Sequence, residues 1–384
     1  MNVYQSQIIT SLCQISKKDW NSCCFNDHTG HNPFLSYQFL SALETSGCAT
    51  ANTGWQAQHI IVRKGATVVG VMPLYLKSHS QGEYVFDHAW ANAYHQAGGN
   101  YYPKLQSSTP FTPVTGPKLM VLNPGDKQDV QGHLLKTALS LVNKLDISSL
   151  HVTFAERQEW EFMADHGFLK RLDQQFHWLN EGYGCFDDFL ADLSSRKRKN
   201  IRKERRLAVA NDIEIDVLSG QDITEDHWDQ YFTFYLDTSH RKWGQPYLNR
   251  QFFSLLGEKL SDKIVLIMCQ HHNKYIAGAL NLLSDDTLYG RYWGAIEDHR
   301  YLHFEVCYYQ AIDYAIRHGL KKVEAGAQGG HKLARGYRPT STYSAHWISN
   351  PPFRKAIADY LTHERNAILA DQEFLSYMAP FKKG

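Results

Sequence analysis

Two side chains in the last third of the chain, Glu305 and His331, are of the types that take a proton from an attacking amine, and arginines, lysines and aromatic residues cluster around both. Acyl transfer to an amine needs a base for the ammonium proton, donors for the carbonyl oxygen as charge develops, and an anchor for an anionic acyl carrier. Glu305 stands in the first turn of an expected helix, where the dipole favours its ionised form and would also explain it without catalysis. His331 follows a strand in the loop Gly326-Ala327-Gln328-Gly329-Gly330-His331-Lys332; an ordinary surface histidine is the competing reading. Glycines there let backbone approach a ligand and expose amides as oxyanion donors. Gln328, Lys332 and Arg335 are the neighbouring candidates for substrate contact, with Tyr308 on the helix.

These residues need a frame, and the hydrophobic pattern supplies one. Residues 276–283 and 287–294 read as strands, and 264–270 as the strand before them. Phe304, Cys307, Tyr308, Ala311, Ile312, Ala315 and Ile316 form the stripe of a helix packed on one side. Gly319 is placed to end it, and residues 322–325 give the next strand. On the middle strand, alternation sets Arg291 and Trp293 on one face and Tyr292 on the other. An Arg beside a Trp suits a planar anionic or aromatic group, although packing alone accounts for Trp293 equally well.

The pattern occurs twice. Residues 59–62, a Lys64-Gly65 turn and residues 68–76 match the later hairpin; residues 84–90 match its following strand, 133–144 the helix and 149–154 the last strand. Asp87 and Trp90, with His88 and Tyr94, are then the first copy's polar and aromatic set, belonging to a second ligand site or a degenerate copy. The expected fold is α/β (α+β), with tandem domains that each hold a mixed central sheet flanked by helices. Their borders fall at 1–180 and 216–384, with a basic helical connector at 181–215.

Composition excludes more than it assigns. The 384 residues are 43% hydrophobic, enough for sizeable cores. No apolar run is long enough to cross a bilayer, and the first twenty residues lack a secretory pattern. Seven irregularly spaced cysteines suggest free thiols in a reducing cytoplasm, and no Cys/His spacing completes a zinc site, so no metal is expected.

Charge is concentrated. Residues 196–206 read RKRKNIRKERR, a local +7 in a chain whose total is +1. Ser194 or Ser195 can cap a helix here, with Phe186, Phe189, Leu190, Leu193, Ile201 and Ala208 on a packed side. Arg198, Arg202 and Arg205, beside Lys199, Lys203 and Arg206, would face outward and attract a polyanion: a phosphorylated small molecule, tRNA or anionic lipid headgroups. A solvated linker helix is the plainer alternative. A further loop, His240-Arg241-Lys242-Trp243-Gly244, offers cations and an aromatic to substrate.

Together, residues 31–35, 194–206, 239–244, 290–294, 303–305 and 326–332 resemble a Fem-like family within the N-acetyltransferase (GNAT) superfamily, often labelled peptidoglycan biosynthesis or recognition. The resemblance spans nearly the whole chain. It implies a tandem acyltransferase fold and, as in better-known Fem relatives, transfer of an aminoacyl group from aminoacyl-tRNA to an amine of a peptidoglycan precursor. One position departs from the family loop, where an acidic residue usually stands and this chain has Gly330.

The carrier stays open. An acetyl-CoA enzyme of this superfamily holds pyrophosphate on a glycine-rich turn before the helix. Here that interval, 294–303, has a glycine only at its start and acids at Glu297 and Asp298, which disfavours CoA. Three readings follow: an acyl or aminoacyl transferase with an anionic or tRNA-like donor, an acetyltransferase with an atypical phosphate site, and a non-catalytic binder of a cell-wall precursor or polyanion. No cofactor is required in the first, no DNA partner is expected, and peripheral contact with anionic lipid stays open.

Overall fold

The computed structural model describes residues 4–25, 31–242, 244–326 and 329–382. The chain forms two units: Met1–Asp173 with Ser341–Ala370, and Gln174–Thr340 with Asp371–Gly384.

In the first unit, the strands in chain order are β1 (Tyr4–Ile9), β2 (Trp55–Ala57), β3 (His59–Lys64), β4 (Thr67–Met72), β5 (Tyr75–Lys77), β6 (Lys104–Ser107), β7 (Met120–Val121) and β8 (Ser149–Ala155). An antiparallel sheet runs β1-β3-β4-β7. A second set pairs β2 with β5, β5 with β6 antiparallel, and β6 with β8 parallel. The Lys127–Leu145 helix buries Val130, Leu134, Leu135, Ala138, Leu141 and Val142 in this unit's core, as its 3.6-residue periodicity demands.

The chain leaves the first unit within β9 (Leu169–Leu179). The second unit adds β10 (Ile213–Ser219), β11 (Ile264–His271), β12 (Lys274–Leu283), β13 (Thr287–Ala295) and β14 (Lys322–Glu324). Its strand order is β10-β11-β12-β13-β14, and β14 pairs antiparallel with the second half of β9. β11 lies inside, and its Ile264–Cys269 run is buried on both faces. Successive pairs are antiparallel except β13 with β14, which is parallel and needs the intervening helical segment as a crossover. β15 (Arg338–Ile348) returns the chain to the first unit, where Tyr343–Ile348 pair antiparallel with β8.

Three expectations need correction. The stretch 84–90 is not a strand: Asp87 caps the His88–Gln96 helix, so the first copy lacks the counterpart of β13 there. Residues 68–76 split into β4 and β5, with Pro73 between them breaking the ladder. The expected borders also shift. The basic segment packs within the second unit, with Ile201 in its core and Ala208 buried, and residues 341–370 return to the first.

Candidate functional site

The second unit opens where two parallel strands separate. Among the described residues, β13 and β14 pair at Thr287–Lys322, Leu288–Val323 and Tyr289–Glu324, and β13 continues to Ala295 against β12. A bulge marks the same level: the register passes from Leu280–Tyr292 to Asn281–Gly290, making Arg291 the inserted residue. Between the diverging strands lies a 90 Å³ cleft, walled by Asn281, Arg291, Tyr292 and Trp293 from the strands and by His303, Cys307 and Tyr308 from the helix. Beyond the bulge the expected alternation holds, since the Trp293 ring faces His303 across the cleft while the Tyr292 ring packs 5.7 Å from Tyr235 on the Glu225–Lys242 helix. Trp293 packs its ring 5.4 Å from His303.

The helix opposite is irregular. Leu302–Phe304 starts it, Glu305–Tyr309 forms a π-helical turn, and Gln310–Arg317 completes it. Such turns re-aim side chains within a helix and recur at functional sites. Here the turn delivers Tyr308 to the cleft, where its hydroxyl lies 2.8 Å from Nε2 of His331. Burial raises the Tyr308 pKa, so the phenol is protonated at neutral pH. Loss of water around its ring, then the charges of Arg335 and Lys332, lower the His331 pKa from its ordinary 6.5. A neutral imidazole therefore faces a protonated phenol.

His331 sits at an exposed position on the short Gly330–Arg335 helix. The preceding residue but one, Gly329, has φ of 123°, and a Cβ there would lie 2.6 Å from the His331 ring. Gly330 has open space where its Cβ would be. Lys332 is buried, donates to the Gly326 carbonyl at 2.9 Å, and is pushed down to about 8 by burial and by Arg291. Arg335 is buried too: it donates to the His331 carbonyl at 2.8 Å and stacks its guanidinium 3.5 Å from the Phe304 ring centroid.

Glu305, the other candidate base, is buried, accepts Nε and Nη2 of Arg205 at 3.0–3.2 Å and Nε2 of Gln310 at 2.8 Å, and is absent from the cleft wall. Burial raises its pKa against the opposing pull of Arg205. Arg205 correspondingly turns inward, over the Phe186 ring at 4.3 Å, instead of outward. The neighbouring Glu204 accepts Arg335 at 2.9 Å and the Tyr309 hydroxyl. Thus the basic Ser195–Ala208 helix is clamped to the π-turn and the His331 helix by two adjacent residues. Sequence reasoning missed Glu204, although one acid in an eleven-residue basic run was a signal.

The remaining predicted contacts fall elsewhere. Arg291 walls the cleft with its side chain buried, its Nη2 lying 3.3 Å from Glu324. Burial opposes ionisation of Glu324, but neighbouring cations outweigh it and hold the carboxyl at about 2. His177, the first of them, is itself held near 4 by burial, so at neutral pH Lys322 and Arg291 carry the effect. Arg202 and Lys203 are exposed, Arg202 pairing with Asp187 at 2.8 Å, and Arg198 is half-buried; none of the three walls the cleft. His240 and Arg241 lie on the Glu225–Lys242 helix, not a loop. Arg241 is held by Asp237 at 2.5 Å and the Ala295 carbonyl at 2.6 Å. Trp243 and Gln328 lie outside the described residues.

Asp87 and Trp90 belong to the first unit and are sealed in it. Asp87 accepts Lys104 at 2.5 Å and the Tyr101 hydroxyl at 2.7 Å, while Lys104 also donates to Glu83 at 2.7 Å. Trp90 meets His346 edge-on at 5.0 Å, with Arg171 over its other side. His346 in turn lies 2.6 Å from His151, Nδ1 to Nδ1. Partners so far apart in sequence gave no local signal.

Solved structures share this overall architecture. The solved structure of FemX superposes with a TM-score of 0.57 at 12% identity, covering 90% of this chain and 98% of that one. L-PGS from Bacillus licheniformis gives 0.50 at 8% identity, with 88% and 99% covered. A protein of unknown function from Bacteroides thetaiotaomicron gives 0.52 at 11%, with 89% and 99% covered. At these identities the likeness is one of fold: a tandem GNAT-like architecture. No curated protein matches the sequence. The FemAB-like family model, described as peptidoglycan biosynthesis/recognition, matches residues 11–383, and the chain belongs to that family.

Proposed function

We propose that this FemAB-like protein transfers an acyl or aminoacyl group to an amine, with the reacting centre in the cleft between β13 and β14. The observation that carries the reading is the Tyr308–His331 pair, a protonated phenol on the cleft wall backed by a neutral imidazole at 2.8 Å. The attacking amine adds to the acyl carbonyl and gives a proton to the Tyr308 oxygen as the phenol passes its own to Nε2 of His331. Collapse of the adduct expels the carrier oxygen or sulfur, which takes a proton back along the same route. No metal or cofactor enters these steps. The cleft has room for about three liquid waters, which suits a small acyl group and leaves its carrier outside.

Glu305 is then a positioning residue that holds Arg205 and, with it, the basic helix. The exposed Arg202 and Lys203 are offered to an anionic or tRNA-like donor. Acetyl-CoA is the second choice, because Gly294 is committed to packing: a Cβ there would lie 2.3 Å from the Phe234 carbonyl carbon. The test is transfer of labelled acyl groups from aminoacyl-tRNA, in parallel with acetyl-CoA, to an amine-bearing peptidoglycan precursor. Product from aminoacyl-tRNA is expected. Binding of the precursor without turnover from either donor would leave a recognition module instead.

A further inference from the structure

Outside the cleft, the same unit brings together three metal-ligating side chains that the proposed reaction does not use. His271 ends β11, immediately before a tight turn in which His272 and Asn273 take φ of 50° and 61°. Glu297 and His299 lie just beyond the end of β13, in the segment leading to the cleft helix. β12 runs between these strands, and Ile296 still donates to the Ile276 carbonyl at 2.9 Å, which fixes where the segment turns off the sheet. Oε2 of Glu297 lies 3.0 Å from Nδ1 of His271 and 2.7 Å from Nε2 of His299. The three ligand atoms all fall within 4.8 Å of one another.

A four-coordinate zinc with bonds of about 2.0–2.1 Å sets its ligand atoms roughly 3.4 Å apart. The observed triangle therefore reaches that geometry with small side-chain adjustments. Both histidines are about one-fifth exposed and Glu297 about two-fifths, so an ion can enter from solvent and a water can complete the shell. The His272 ring lies tilted against that of His271, with centroids 4.0 Å apart.

We propose that His271, Glu297 and His299 form a binding site for a divalent transition metal of the zinc type, with imidazole and carboxylate ligands and an open position. Metal there ties the hairpin end of β11 to the segment Ile296–Tyr301, and so fixes the entry of the helix that carries Tyr308. The alternative is that Glu297 merely accepts two imidazole hydrogen bonds.

Titration of the purified full-length chain, stripped with chelator, with Zn²⁺ by calorimetry and with Co²⁺ by visible absorption separates the two. Saturable binding of a single ion per chain is expected, with the Co²⁺ bands of a low-coordinate nitrogen and oxygen site. His299→Ala and Glu297→Gln, checked for unchanged far-UV dichroism, should each lose that binding. Should either variant misfold, His271→Gln under the same assay decides. Failure of the parent chain to bind, or undiminished binding in the folded variants, would overturn the proposal whatever the acyl-transfer assay shows.

Discussion

At the scale of single residues, the account turns on which groups are free to move a proton. A carboxylate at a helix start reads as a base from sequence, but burial and three donors from Arg205 and Gln310 commit Glu305 to holding the basic helix. His331 was legible, because a histidine after a strand and a glycine-rich turn has few structural duties. Its partner Tyr308 was legible as a stripe residue and a candidate substrate contact; the π-turn that re-aims it leaves no mark in the periodicity. Gly330 stands where the resemblance implies an acid, with open space around its Cβ direction and no left-handed backbone. Gly330→Glu should therefore fold with stability within about 0.5 kcal/mol of the parent, as for unconstrained surface changes. Thermal unfolding checks this, and a rise in turnover would assign the family's acid a catalytic part. Gly329 is the opposite case, since any side chain there meets the His331 ring.

At the scale of elements, the sheet of the second unit was readable because each strand carries its own signal. β11 opens with the apolar run Ile264–Cys269, β12 mixes small and large apolar residues, and β13 has Gly294 as its penultimate residue. What escaped was register. The bulge at Arg291 and the early parting of β13 from β14 depend on pairing between segments, which local pattern does not encode. Likewise, the metal-ligand triad joins His271 to residues 26 and 28 positions later, a spacing no short motif covers. The end of β13 makes a direct prediction. Gly294 packs against the backbone of Phe234 and Tyr235, at distances no Cβ can occupy. Gly294→Ala should push the Glu225–Lys242 helix off the strand and cost about 1–3 kcal/mol, measured by urea unfolding. An unchanged midpoint would show that the helix can yield there.

At the scale of the molecule, a repeated pattern announced two units of related architecture, and the tandem fold follows. The borders were harder to place, because residues 341–370 rejoin the first unit after the second is complete, and a linear reading assigns them by adjacency. The basic run was visible as charge but not as attachment: Glu204 and Arg205 join it to the His331 helix and the π-turn, while Arg202 and Lys203 stay exposed. The first unit's Asp87–Lys104–Tyr101 network is buried, and the proposed proton route lies in the second unit. The most direct measurement is the single-turnover rate of acyl transfer by Tyr308→Phe, His331→Ala and Glu305→Gln at matched substrate saturation. Removing the proton route should lower the rate about 10²–10⁴-fold in the first two. The parent's acid limb should lie below pH 6.5, because His331 must be neutral to accept and its pKa is depressed. Glu305→Gln should lose stability while retaining most of its rate once folded. Full activity in both Tyr308→Phe and His331→Ala, with loss confined to Glu305→Gln, would contradict the account.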